Sequence, residues 1–127
     1  MPDDKPAELT AQQIFDKVAT HLHKQNAQAR SSQHGCAYRA PDGRRCAVGC
    51  LLTDDEYDRG MEGARVPWLI EHGGIPRRLR PHADLLTSLQ NVHDNYLPEA
   101  WPGALRDRAN THGLSPEVIY KLWGEDA

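Results

Sequence analysis

Apolar side chains recur at Ala11, Ile14, Phe15, Val18 and Leu22, a spacing of three and four that puts them on one helical face. Thr10 stands before this run with Gln13 three places on, a capping-box pair, so the pattern predicts a helix from about Ala11 to about Asn26. A second stripe, Leu85, Leu86, Leu89, Val92, His93 and Tyr96, predicts a central helix beginning after Pro81. Pro102 suits the first turn of a further helix, with Leu105 and Ala109 facing inward and Gly113 as its cap. Ser115 as N-cap and Pro116 at the first position open a last helix that carries Val118, Ile119, Leu122 and Trp123. Two shorter pieces lie between. Thr53 and Glu56 repeat the capping box and start a short helical segment that Gly60 and Gly63 end, and Val66 to Ile70 form a brief helix closed by Gly73 and Gly74.

Between the first helix and Thr53 the period changes. QNAQARSSQHG is polar throughout and reads as a loop. Pro41, Asp42 and Gly43 in succession suit a tight turn: Pro presets φ, Asp bonds its own backbone, and Gly accepts positive φ. A β-hairpin near residues 36–47 is therefore expected, pairing the neighbourhood of Tyr38 with that of Arg45. Ala47 to Leu52 is the most apolar run in the chain and reads as a buried helical turn, in which Gly49 permits close approach of another segment. The sum is a mostly α fold with a small β-hairpin (α+β), a single compact domain of about five helices over residues 10–127. Residues 1–9, with two Pro and two Asp and no period, read as a flexible tail.

Composition narrows the function classes. The chain has 127 residues and a formal net charge of −3, with 15 Lys and Arg against 18 Asp and Glu. That balance gives no general attraction for nucleic acid, and the most notable local patch of cations, Arg77, Arg78 and Arg80, reads as a solvated loop. Aliphatic residues are sparse, but three Trp and four Tyr supply large apolar area, so a modest folded core is expected. No run of 18 apolar residues occurs, and the first residues show neither a basic nor an apolar leader region. An odd number of cysteines, three, argues against a disulfide framework. A cytoplasmic protein without a membrane partner is the expectation.

All three cysteines fall in HGCAYRAPDGRRCAVGCLL, and this segment supports four readings. His34, Cys36, Cys46 and Cys50 supply the right number of ligands for zinc, although H-x-C is a cramped first half for such a site. Cys46, following Arg44 and Arg45 at the start of a helical turn, could form a stabilised thiolate, with His93 as base and Asn95 or Asp94 as orienter of a hydrolase. A Cys36–Cys46 disulfide would fit across a hairpin, but the expected compartment disfavours it. The simplest reading makes the thiols packing groups, since free Cys behaves as a small hydrophobe. His93, on the apolar stripe, then reads as a buried histidine bonded to a carbonyl or hydroxyl.

CAYRAPDGRRCAVGCLLTDDEYDRGMEG resembles a family of small uncharacterised proteins encoded in phages, prophages and proteobacterial genomes. The family pattern is an amphipathic helix like TAQQIFDKVATHL, then C-x-Y-R-x-P-D-G-x-x-C-A-V-G-C-L-I, an acidic D-E-x-Y and a Met-Glu-Gly. A leucine-rich helix ending in His-Asp follows, matched by LLTSLQNVHDN, and then a Trp-containing helix, matched by EAWPGALRDRANTHGL. Leu52 stands where Ile is commoner, and Ala alternates with Cys at the position of Cys50, which disfavours zinc ligation there. The resemblance covers Thr10 to Gly63 and Leu85 to Leu114. It implies a phage or mobile-element setting and brings no established activity. The expected function is accordingly an accessory protein that binds a host or phage protein, without a cofactor. Its candidate contact residues are Tyr57, Trp68, Arg77 and Arg78, of the types that dominate interfaces. A cysteine hydrolase using Cys46 and His93 and a zinc module are the alternatives.

Overall fold

The computed structural model describes residues 8–33 and 35–125. Among them the chain forms five α-helices: α1 (Ala11–Gln25), α2 (Val66–Glu71), α3 (Ala83–Asn95), α4 (Trp101–Thr111) and α5 (Glu117–Trp123). α3 is the central rod, packed against α1, α2 and α4, and α5 closes the bundle against α1 and α4. Two of the long helices, α1 and α4, start from a local instruction in the sequence. The Thr10–Gln13 capping box forms in both directions, at 3.1 and 2.9 Å, and Asn26 ends α1 in the left-handed region at φ 48°. Pro102 sits in the first turn of α4, and Gly113 follows its end at φ 68°.

One core joins these elements. Ile14, Phe15, Val18 and Leu22 of α1 meet Leu85, Leu86, Leu89 and Val92 of α3, with Trp101, Leu105 and Ile119 beyond them. Burying such side chains is worth roughly 1.5–3 kcal/mol each, which makes the amphipathic stripes the main determinants of the bundle. Leu9 packs against this core, while residues 1–7 of the expected tail lie outside the described residues. No helix among the described residues is long and apolar enough to cross a membrane.

Five expectations shift in detail. The run read as a polar loop contains a two-stranded antiparallel ribbon, β1 (Arg30–Ser31) with β2 (Gly35–Cys36). The pairing expected near Tyr38 and Arg45 is present as a single bridge, Arg39 opposite Arg45, with Cys46 N–H donating to the Tyr38 carbonyl at 3.2 Å. Thr53 and Glu56 make their capping box, but only a turn follows: the backbone is extended at Asp58, whose carboxylate accepts from Gly60 N–H and opens a 3-10 turn at Arg59–Met61. Tyr96 leaves the α3 stripe: the helix stops at Asn95 and Tyr96 is extended and 38% exposed. The last helix begins one residue later than expected, with Ser115 Oγ accepting from Glu117 N–H.

Candidate functional site

The run Ala47–Leu52 folds as a buried turn ending in the 3-10 helix Gly49–Leu51, and a Cβ at Gly49 would collide with the carbonyl oxygen of Tyr38. That close approach puts the CAVGC turn directly under the hairpin, so the thiols lie inside. Cys46 is 0% exposed and its Sγ accepts from Gly49 N–H at 3.3 Å; burial drives its pKa well above the ordinary thiol range. Cys50 donates to the Ala47 carbonyl at 3.1 Å, and burial pushes it up to about 12. Cys36 is half-buried and also raised, first by desolvation and then by the charge of Asp94. All three are free thiols. A nucleophilic Cys needs a depressed pKa; each of these is shifted the opposite way.

His93 is wholly buried, and both ring nitrogens are engaged. Ala29 N–H donates to Nε2 at 2.9 Å, and because a backbone amide can only donate, Nε2 carries no proton. Nδ1 must then be the protonated nitrogen, and it donates to Asp94 Oδ1 at 2.7 Å. The ring also stacks on Trp101, with centroids 5.9 Å apart. The histidine thus bonds a backbone amide and a carboxylate rather than a carbonyl or hydroxyl. It has no lone pair to offer Cys46, and Asn95 orients nothing there, since Asp94 holds the imidazole.

Among the described residues, Cys36, His93 and Asp94 are the one set of potential ligands that converges, their ligand atoms within 4.8 Å of one another. Cys46 and Cys50 do not join it, and His34 lies outside the described residues. Ligation through His93 Nδ1 would move its proton to Nε2 and set two N–H groups, that of the imidazole and that of Ala29, against each other. The tautomer therefore works against a metal centre built on this histidine.

The motif residues prove to be a partly buried hydrogen-bond network. Glu62 accepts from the backbone N–H groups of Tyr38 at 2.9 Å and Arg39 at 3.1 Å and from the Tyr57 hydroxyl at 2.6 Å. Arg39 donates to Asp54 at 2.7 Å and to the Leu52 carbonyl at 3.1 Å, and lies over the Tyr57 ring. Arg78 makes a two-pronged pair with Glu56 at 2.8 and 2.9 Å and donates to the Leu51 carbonyl. Of the four residues expected at the surface, Arg78 is therefore turned inward, its side chain 10% exposed, and the hydroxyl of Tyr57 is taken up by Glu62. Trp68 is 51% exposed and stacked on His72, and Arg77 is exposed.

A groove of about 390 Å³ lies beside this network. One wall is the α3 face carrying Thr87, Gln90, Asn91, Asp94 and Asn95; residues 63–67 and 36–38 supply the rest. Its polar groups are positioned from behind. Gln90 accepts from Val48 N–H at 3.1 Å and donates to Asp94 Oδ1 at 2.9 Å, so the buried thiol turn and the groove share one amide. The sequence named Asp94 and Asn95 only as orienters of a catalytic histidine and did not single out Thr87, Gln90 and Asn91. Their only signal was polarity on the α3 face opposite the leucine stripe, which any solvated helix shows. Compared with family models, with curated proteins and with solved structures, the chain gives no match.

Proposed function

We propose that the protein is a small binding module that acts by contact with another protein through the groove between α3 and residues 63–67. The observation that supports this reading is the contrast in the use of polar groups. Cys46 and His93, which would carry chemistry, are buried and bonded internally, whereas the concave α3 face presents side chains fixed in place and open to a ligand. The groove volume lies within the range of specific ligand clefts. Pro67, on its lining, and the exposed Trp68 beside it extend the surface with apolar area. With the phage or mobile-element setting that the motif implies, the partner is a host or phage protein, and the module is an accessory or modulating factor.

The reading is tested by quantitative affinity purification from bacterial lysate with three baits. A partner retained by the wild type and by Lys24→Glu, on the distant face of α1, and lost with Thr87→Arg, which fills the groove, supports it. A partner retained equally by Thr87→Arg overturns it.

A further inference from the structure

The groove proposed above as the contact surface contains a fixed carboxylate that no described lysine or arginine neutralises. Asp94 Oδ1 accepts from His93 Nδ1–H and from Gln90 Nε2–H, at 2.7 and 2.9 Å. His93 is pinned by Ala29 N–H and by Trp101, so Asp94 cannot swing away without breaking bonds in the core. Its side chain remains 35% exposed, on the groove wall. No lysine or arginine among the described residues comes within ion-pair distance of it. Arg30 is engaged elsewhere: its Nη1 donates to Gln28 Oε1 at 3.2 Å and to Cys36 Sγ at 3.9 Å. Cys36, held protonated, adds no charge of its own.

We infer that this recess receives a single cationic side chain, arginine or lysine, from an extended segment of the partner. A carboxylate already oriented by two donors loses no side-chain freedom when a cation docks, and charge-assisted hydrogen bonds are the stronger class. Asn91 and Asn95, one turn apart on the same wall, flank Asp94 with amide groups suited to a peptide backbone. Arg65 lines the same groove, so a run of positive charge is disfavoured and one cation among neutral or acidic neighbours is the fitting pattern. This inference rests on the groove being the contact surface.

Titration of the full chain, followed by 1H–15N NMR, tests it. The probes are a capped Gly-Ala-Arg-Ala-Gly peptide, its lysine and citrulline counterparts, and free arginine. The expected result is shifts at Ala37, Gly63, Asn91 and Asn95 with the arginine or lysine peptide, and binding about tenfold weaker for citrulline. Asp94→Asn keeps an oxygen for His93 and Gln90 and should give the same loss at an unchanged melting temperature. Should that variant misfold, Asn95→Arg, which leaves the His93–Asp94 pair intact, must weaken the cationic peptides. Citrulline binding as well as arginine, or Asp94→Asn or Asn95→Arg binding undiminished, overturns the inference and leaves the groove as contact surface. Free arginine binding as tightly as the peptide also overturns it, by making the occupant a small molecule. No groove shift with any probe overturns it too, and the lysate experiment then decides separately whether the groove is used.

Discussion

Two polar regions meet at Tyr38 and use their hydrogen-bonding groups in opposite ways. In the hairpin knot, Arg39, Glu56, Glu62 and Arg78 point inward and bond backbone or one another. On the α3 face, Asp94 and Gln90 are held by His93, by the Val48 amide and by one another, and both line the groove. The knot is where the sequence motif is densest, yet its polar residues hold the fold together. The groove takes Cys36, Tyr38, Gly63 and Asp94 from the matched residues, and under the proposal above it is the part that meets a partner. Density of charged and cysteine residues along a chain therefore marks where the backbone needs internal partners, as a short irregular segment without long helices or sheets must.

Substitutions should separate the two regions, with the largest effect in the knot. Gly49→Ala forces a Cβ into the Tyr38 carbonyl and should cost about 3 kcal/mol or more, on the order of 10 °C in melting temperature by calorimetry. Glu62→Gln turns an amide N–H toward backbone donors that need an acceptor, and should cost about 2 kcal/mol in urea unfolding. A loss as small as that of an exposed surface site would show that the hairpin does not depend on this clamp.

The pH profile gives a graded test of the same region. The bond to Arg78 holds the Glu56 carboxyl below its ordinary range, so the folded state binds fewer protons than the unfolded. Its contribution is present above the ordinary carboxylate pKa of about 4.3 and is lost as pH falls through the lower folded value. Arg78→Met should flatten that limb of the stability curve. Desolvation likewise lowers the pKa of His21, whose Nε2–H donates to the Arg45 carbonyl at 2.8 Å. A smaller loss of stability should therefore begin as pH falls below about 6.5.

The smallest stability effects belong to the groove. Asn95→Ala and Thr87→Ala should change unfolding free energy by less than about 0.5 kcal/mol while weakening partner binding. Thiol chemistry sharpens the contrast further. With iodoacetamide near neutral pH, Cys46 should stay unmodified in the native protein and Cys36 should react slowly, as mass spectrometry would show. Rapid alkylation of Cys46 would contradict its burial and restore a nucleophile.

The sequence by itself determined the helices: the Thr10 cap, the apolar stripes of α1 and α3, Pro102 and Gly113 each act within a few residues of their own position. It also located the tight turn at residues 41–43 and the close approach at Gly49, because Pro, Asp and Gly carry their backbone preferences with them. Only the tertiary structure decided which nitrogen of His93 holds a proton, since that depends on Ala29, 64 positions away. It also decided that Arg78 turns inward to Glu56, and that five ordinary polar residues of α3 face a concavity made by residues 63–67. Hydrogen-bond partners at long sequence separation leave no periodic trace in a single chain, and a groove is a property of two surfaces, neither of which encodes the other.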